Sequence, residues 1–420
     1  MSRRKHLIIG AGPAALSAAD RLRNLCPDDE IKMVTEENSL PYCPAVLPYL
    51  LAGKVQKEKV WLRTDDYFAS KKIVFLQGKR VIKVNPQENR VTYLDGQEES
   101  YDNLLIATGA EATSSPFDNI KEEILSFHRL EDLYRLNKRL ISCENVTILG
   151  AGLVAVELAV ALTQRGKKVR ILGRGRLLRA YFTEEAGNYL SEHMERHGIE
   201  IITGKTLSSF KKRGNSYEID TEEGDTFKAD MIIACLGVKP NLSFLTDSGI
   251  HINHGVVVDR CLKTNFANIF AIGDVAESPA FFGETFGVSP ILPNALDQGR
   301  VAAENMAGKV SYFQGWLPMN VLKLFDNLSF SIGIISPEDG GASILEEKNG
   351  EKKTIKRLVI RDDSLVGAMF INCDVEPGVI RYLIERRVNV GDYADALMNK
   401  PRITSFSLMI KKETSVNQLV

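Results

Sequence analysis

Two short runs of glycine and alanine, about 140 residues apart, carry the chemistry most readily read from this chain. The first, HLIIGAGPAALSAADRL, sets Gly10, Gly12 and Ala15 behind a short apolar run. The second, NVTILGAGLVAVELAVAL, sets Gly150, Gly152 and Ala155 behind another. In each the spacing is G-x-G-x-x-A, between a buried strand and a small-residue helix. The first glycine permits a tight turn, the second lets backbone approach a pyrophosphate, and the small third residue lets helix and strand pack closely. Phosphates then sit on N–H groups at the positive end of a helix. One such turn also occurs in α/β cores that bind nothing. Two of them point to two dinucleotides, and so to hydride traffic between them.

Other residues fit that chemistry by position. Glu36 follows the second strand, where a carboxylate accepts hydrogen bonds from an adenosine ribose, with Glu37 a close rival. In NIFAIGDVAES, Gly273 allows close backbone approach at a strand end and Asp274 is placed to bond a ribityl hydroxyl. LPNALDQGRVAAENMAG predicts a helix whose N-terminus, near Leu296 and Asp297, would face a group of partial negative charge. After the second fingerprint, VRILGRGRLLR puts Gly173 where an NAD-specific fold usually has an acid, followed by Arg174, Arg176 and Arg179. A missing carboxylate and nearby guanidinium groups suit a 2′-phosphate; a solvated basic loop is the alternative.

The elements that must position these residues read as an α/β chain. Residues 5–35 are strand, helix, strand, and residues 145–173 repeat the pattern. Residues 41–62 are apolar and proline-rich, which predicts irregular backbone rather than a regular helix, packed on something flat such as a cofactor ring. Residues 73–110 alternate as strands and end in YDNLLIATGA; a linker with Ser114, Ser115 and Pro116 follows. After about Pro318, SFSIGIIS, TIKRLVIRD and LVGAMFIN read as antiparallel strands and VEPGVIRYLIERRVNV as a closing helix, a separate α+β domain.

Composition bounds the rest. The 420 residues are too many for one core, and 25% charged with 44% hydrophobic residues is ordinary globular usage. A net charge of −1 argues against a nucleic-acid surface, and no segment approaches the ~18 apolar residues of a membrane span, so a soluble, cytoplasmic chain is expected. The six cysteines form no C-x-x-C or C-x-x-x-x-C pair, so no metal site or adjacent redox dithiol is expected. His193 and His197, four apart in SEHMERHG, read as a solvated helix face.

The ordered set GAGPAA, LLIATGA, GAGLVAVE, CLGVKPN, IFAIGD and LPNALDQGRVAAENMAG resembles the pyridine nucleotide–disulfide oxidoreductase superfamily over essentially the whole chain. The resemblance implies FAD on the first fingerprint, with Thr108, Gly109 and Asp274 beside it. It implies NAD(P)H on the second, with Glu157 lining the nicotinamide pocket and Gly237 close by. The implied fold has two Rossmann-like dinucleotide-binding domains, one inserted in the other, plus a C-terminal α+β domain. Residues 1–115 and 250–318 would bind FAD, 116–249 would bind NAD(P), and 319–420 would form an interface through which a homo-oligomer could assemble.

What is missing decides the branch. Lipoamide and glutathione reductases carry a C-x-x-x-x-C dithiol and a C-terminal His-Glu pair, and this chain has neither. Segment 41–49, PYCPAVLPY, resembles rubredoxin and ferredoxin reductases, NADH oxidases and coenzyme A disulfide reductases. In the last two groups a single redox cysteine falls at the position matched here by Ala45, whereas Cys43 is two residues earlier. The C-terminal domain resembles that of rubredoxin reductases, and the chain also looks like the FAD-containing epsilon subunits of phenylglyoxylate dehydrogenases. The expectation is an NAD(P)H oxidoreductase exchanging electrons with an iron–sulfur protein, either nicotinamide coenzyme being admitted with a lean toward NADPH. The alternative is single-cysteine oxidase or disulfide-reductase chemistry at Cys43.

Overall fold

The computed structural model describes residues 3–113, 123–338 and 340–417; the expected linker at Ser114, Ser115 and Pro116 lies outside them. The chain divides into two compact units. The first takes residues up to Thr113, then His128–Leu130 and Val238–Leu317. The second takes the remainder, Glu131–Gly237 and everything from Pro318 onward included. The chain returns to the first unit at Val238, twelve residues before the expected 250, because strand Val238–Pro240 pairs antiparallel with Ala110–Ala112.

The first unit is built on a five-stranded parallel sheet in the order Ile269–Ala271, Asn103–Ile106, Lys5–Ile9, Glu30–Val34, Ile73–Leu76. Its central strands are buried on both faces, as the apolar runs HLII and LLI require of a parallel sheet. Helix Pro13–Leu25 follows the first strand, with Pro13 in the first turn, where a missing N–H costs nothing. It buries Ala14, Ala15, Ala18, Ala19 and Leu22. A second helix, Leu292–Met306, packs against it and buries Ala302 and Ala303. Small residues set the spacing: a Cβ on Gly299 would lie 2.6 Å from the Ala14 carbonyl oxygen and 2.8 Å from Ser17 Cβ. Ser17 Oγ donates to the Leu296 carbonyl at 2.8 Å across the same contact.

The proline-rich segment contains a helix after all. A 3₁₀ turn, Pro44–Val46, leads into a single α-helical turn, Leu47–Leu51. Both prolines sit in first turns, where the amide they lack has no helical partner to lose.

The second unit repeats the design. Its parallel sheet runs Ile199–Thr203, Lys168–Gly173, Asn145–Leu149, Met231–Ala234, Leu125–Ser126, with helix Leu153–Gln164 behind the second fingerprint. The unit also contains an antiparallel sheet in the order Met319–Leu324, Asn327–Gly333, Ser364–Ile371, Thr354–Arg361, Ser343–Asn349. Two of these strands went unread in the sequence, and helix Pro377–Glu385 does not close the chain, since Ala394–Asn399 and Pro401–Asn417 follow. His193 is not a solvated residue. It is buried, and its Nε2 donates to the Leu324 carbonyl at 3.1 Å, joining helix Glu184–Arg196 to the antiparallel sheet.

The Gly299 contact makes a direct prediction. Gly299→Ala must spread the two packed helices, and overpacking of this kind costs roughly 1–3 kcal/mol. The variant should melt at a lower temperature than the native chain in a thermal scan; an unchanged melting temperature would show that the helices give way freely.

Candidate functional site

The first fingerprint opens onto a cavity within the first unit. Gly10 has φ +115°, and a Cβ there would lie 2.1 Å from the Ala107 carbonyl oxygen, so only glycine closes this turn. Gly12, the N-cap of helix Pro13–Leu25, lines the cavity, and a Cβ on it would meet nothing within 4 Å. That open cradle beside a helix N-terminus has the form a pyrophosphate requires. Ala15 is fully buried behind it.

Glu36 and Glu37 both line the cavity, in different settings. Glu36 Oε1 lies 2.6 Å from Arg129 Nη2, and its Oε2 lies 3.5 Å from Arg80 Nε. Glu37 accepts from the Tyr42 hydroxyl at 2.9 Å, and that hydroxyl accepts in turn from the Leu130 amide at 2.9 Å. Thr108 Oγ1 donates to the Asn241 carbonyl at 3.2 Å, and Gly109 turns the chain at φ +64°. Gly273, at φ +72°, is pinned by the buried Gln298, which accepts its amide at 2.7 Å and donates to Ser278 at 3.0 Å. Asp274 lines the same cavity. Burial raises its carboxyl above the ordinary range, against a smaller opposing pull from His128, and among the described residues no other side chain bonds it. A buried acid lining a cavity, hydrogen-bonded by its own backbone amide but by no side chain among the described residues, fits a hydroxyl-rich ligand chain.

Cys43 and Ala45 also line this cavity. Burial raises the Cys43 thiol; the Ala45 amide opposes this weakly, and the Asp274 carboxylate adds to it. The thiol is therefore held protonated, the reverse of a redox nucleophile's setting. Leu296 does not fall where the sequence predicts. The helix begins four residues earlier, at Leu292, because Pro293 is accommodated in its first turn. The cavity meets Leu292 and Ala295, while Leu296 lies one turn in and is 38% exposed. Tyr42, Arg80, Arg129, Asn241 and Gln298 were not foreseen. Gln298 was within reach, in the QG of LPNALDQG; Arg129 had no local signal, since its partner Glu36 is remote in sequence.

The second fingerprint has the same local form. Gly150 has φ +116°, and a Cβ would lie 2.2 Å from the Cys235 carbonyl oxygen. Around Gly152 and around Gly237, at φ +98°, a Cβ would meet nothing within 4 Å. Ala155 is fully buried. Glu157 is partly buried on helix Leu153–Gln164, and with no partner among the described residues its carboxyl is pushed up by burial to about 7. Gly173 is dictated by packing, since a Cβ would lie 2.8 Å from Ala151 Cβ. The arginines divide. Arg176 donates to the carbonyls of Leu177, Thr183 and Phe182 at 2.9–3.2 Å, so it holds the loop. Arg174 and Arg179 are exposed.

Glu157 makes stability depend on pH. Its carboxyl titrates near 4.5 when unfolded and near 7 when folded. Between those values the folded chain keeps a proton that the unfolded chain has lost, so stability falls as pH rises through the window and levels off above it. Glu157→Gln removes this slope. In the absence of coenzyme, the melting temperature of the variant relative to the native chain should be higher at pH 8 than at pH 5; an equal difference at both would show that the carboxyl is not raised.

Residues 4–299 match the model of the pyridine nucleotide-disulphide oxidoreductase family, and residues 318–387 match the rubredoxin NAD+ reductase C-terminal domain. The chain is 30% identical over 413 residues to the NADH-dependent phenylglyoxylate dehydrogenase subunit epsilon of Aromatoleum evansii, covering 96% of this chain and 97% of that one. It is 28% identical over 333 residues to an NADH oxidase of Methanocaldococcus jannaschii, covering 76% and 74%. Its fold is that of one chain in the crystal structure of the covalent putidaredoxin reductase–putidaredoxin complex, with a TM-score of 0.84 at 23% identity over 93% of this chain and 94% of that one. Among the described residues no helix is long and apolar enough to cross a membrane. With both glycine turns formed as the family requires, the chain belongs to the pyridine nucleotide–disulphide oxidoreductases and is an FAD-dependent NAD(P)H oxidoreductase.

Proposed function

We propose that this oxidoreductase exchanges electrons with an iron–sulfur electron-transfer protein through its flavin alone, with no cysteine in the relay. The observation that carries the reading is the pair at the cavity wall: Ala45 at the matched redox position, and Cys43 held as a neutral thiol beside Asp274. The match of residues 318–387 to the rubredoxin reductase C-terminal domain supports a protein partner of that class. The relative from Aromatoleum evansii is a subunit of a larger dehydrogenase, which supports the same role for this chain within a complex.

FAD, when bound, takes up a hydride and gives up electrons singly. The chain's own residues supply the position. Gly10 and Gly12 admit the pyrophosphate to the N-terminus of helix Pro13–Leu25. Glu36, oriented by Arg129 and Arg80, receives the ribose hydroxyls. Thr108 and Gly109 shape the adjoining wall. Asp274, set by Gly273 and Gln298, takes the ribityl hydroxyls. The first-turn amides of Leu292 and Asn294 are the ones that would serve the ring end, since Pro293 carries no N–H and the Ala295 amide is bonded to the Ile291 carbonyl. In the second site Gly150, Gly152 and Gly237 admit the nicotinamide coenzyme, and Glu157 meets its nicotinamide end. Arg174 and Arg179 are available to a 2′-phosphate because Arg176 is committed to loop carbonyls. No protein acid or base is required for hydride transfer, so rate comes from positioning.

Cys43→Ser tests the thiol-free relay. The FAD-loaded variant should retain most NAD(P)H-dependent reduction of a dye or ferredoxin, and the reduced native protein should lack a long-wavelength thiolate–flavin absorbance. Loss of nearly all activity together with such a band would place the chain among the single-cysteine oxidases and disulfide reductases.

Steady-state kinetics with both coenzymes test the second site. NADPH should be preferred or used as well as NADH, and Arg174→Ala with Arg179→Ala should lower kcat/KM for NADPH roughly tenfold more than for NADH, as loss of charge-assisted hydrogen bonds implies. A strong NADH preference unchanged by both substitutions would remove the phosphate-binding role.

A further inference from the structure

The second unit brings together three side chains that no local sequence pattern joins. His193 and His197 lie one turn apart at the C-terminal end of helix Glu184–Arg196, with ring centroids 4.6 Å apart. Asp326 stands on the turn between strands Met319–Leu324 and Asn327–Gly333, and its Oδ1 is 3.3 Å from His193 Nε2. One donor atom from each of the three lies within 4.8 Å of the other two. We propose that His193, His197 and Asp326 form a binding site for a divalent transition-metal cation of the Zn²⁺ type, which clamps the helix to the strand turn.

The distances suit the ion. Bonds of about 2.1 Å in a tetrahedron place neighbouring ligand atoms about 3.4 Å apart, and the His193–Asp326 separation of 3.3 Å already meets that edge. The orientation of His197 is prepared. Its Nδ1–H donates to the His193 carbonyl at 2.8 Å, which leaves Nε2 as the electron-pair donor. Metal-binding imidazoles are oriented by such a bond from the other ring nitrogen. Phe325, at φ +56° on the same turn, stacks on the His197 ring with centroids 3.9 Å apart and planes 7° from parallel, fixing its plane. The proton that His193 Nε2 now directs at the Leu324 carbonyl, 3.1 Å away, occupies the position a cation would take; on binding it moves to Nδ1. Asp326 supplies a negative charge and is 85% exposed at its side chain, so an ion reaches the site from solvent and retains a water as fourth ligand. Arg196, the nearest opposing charge on the helix, directs its Nε to the Glu192 carbonyl.

A second group, His6, Cys26 and Asp29, has comparable spacing but lacks these features. Arg4 and Arg23 lie around it, Asp29 is already bonded by the Arg4 amide and His6, and burial holds the Cys26 thiol protonated.

The test uses the full-length, FAD-loaded protein stripped with a chelator. Calorimetric titration with Zn²⁺ should give one equivalent bound and a raised melting temperature. Titration with Co²⁺ should give visible d–d bands without a thiolate charge-transfer band. His197→Gln and Asp326→Asn should each weaken Zn²⁺ binding at least about tenfold while leaving dye reduction by NAD(P)H intact. Absence of stoichiometric binding, unchanged affinity in both variants, or binding lost only in Cys26→Ser would overturn the site.

Discussion

At the head of each parallel sheet, one backbone turn presses against the carbonyl that ends the neighbouring strand. A Cβ on Gly10 would lie 2.1 Å from the Ala107 oxygen, and one on Gly150 would lie 2.2 Å from the Cys235 oxygen. The two glycines share nearly the same φ, +115° and +116°. This contact sets how close the fingerprint comes to the adjoining turn, and so how Thr108 and Gly109, or Gly237, stand beside it. Any side chain at either glycine would drive the central strand away from its neighbour and take the helix N-terminus with it. The open space around Gly12 and Gly152 is the complement of this crowding: the backbone is packed tightly on one side so that it can be bare on the other.

Charge divides the first cavity into parts. Glu36 lies between Arg129 and Arg80, whereas Asp274 is buried with only a weaker pull from His128. Cys43 shares the setting of Asp274, not that of Glu36, and an acid facing a thiol stabilises the protonated form. Burial, with Asp274 adding to it, thus keeps a cysteine on the cavity wall in its protonated form.

Much of this was legible from short-range pattern. Both fingerprints and the strand before Asp274 follow from spacing and residue type, because each is a local backbone requirement. The misreadings come from contacts between distant segments or from a competing local rule. The helix start expected near Leu296 falls at Leu292, because Pro293 is at home in a first turn. Arg176 looks like Arg174 and Arg179 in sequence and is separated from them only by the carbonyls that the folded loop offers it. Arg129 reaches Glu36 only because His128–Leu130 rejoin the first unit. His193 reads as surface until the strand turn at Leu324 covers it.

The route of the chain through the first unit bears on how the protein is made. The central strand and helix Pro13–Leu25 emerge first from the ribosome, but the edge strand Ile269–Ala271 and the packing helix Leu292–Met306 are encoded after the whole second parallel sheet. The inserted sheet, whose strands run from Leu125 to Ala234, is therefore complete as a segment while the enclosing one still lacks a strand and a helix. Domains fold as units during synthesis, so the inserted parallel sheet can close before the cavity of the first unit, whose lining includes Gly273, Asp274 and Leu292, is fully encoded.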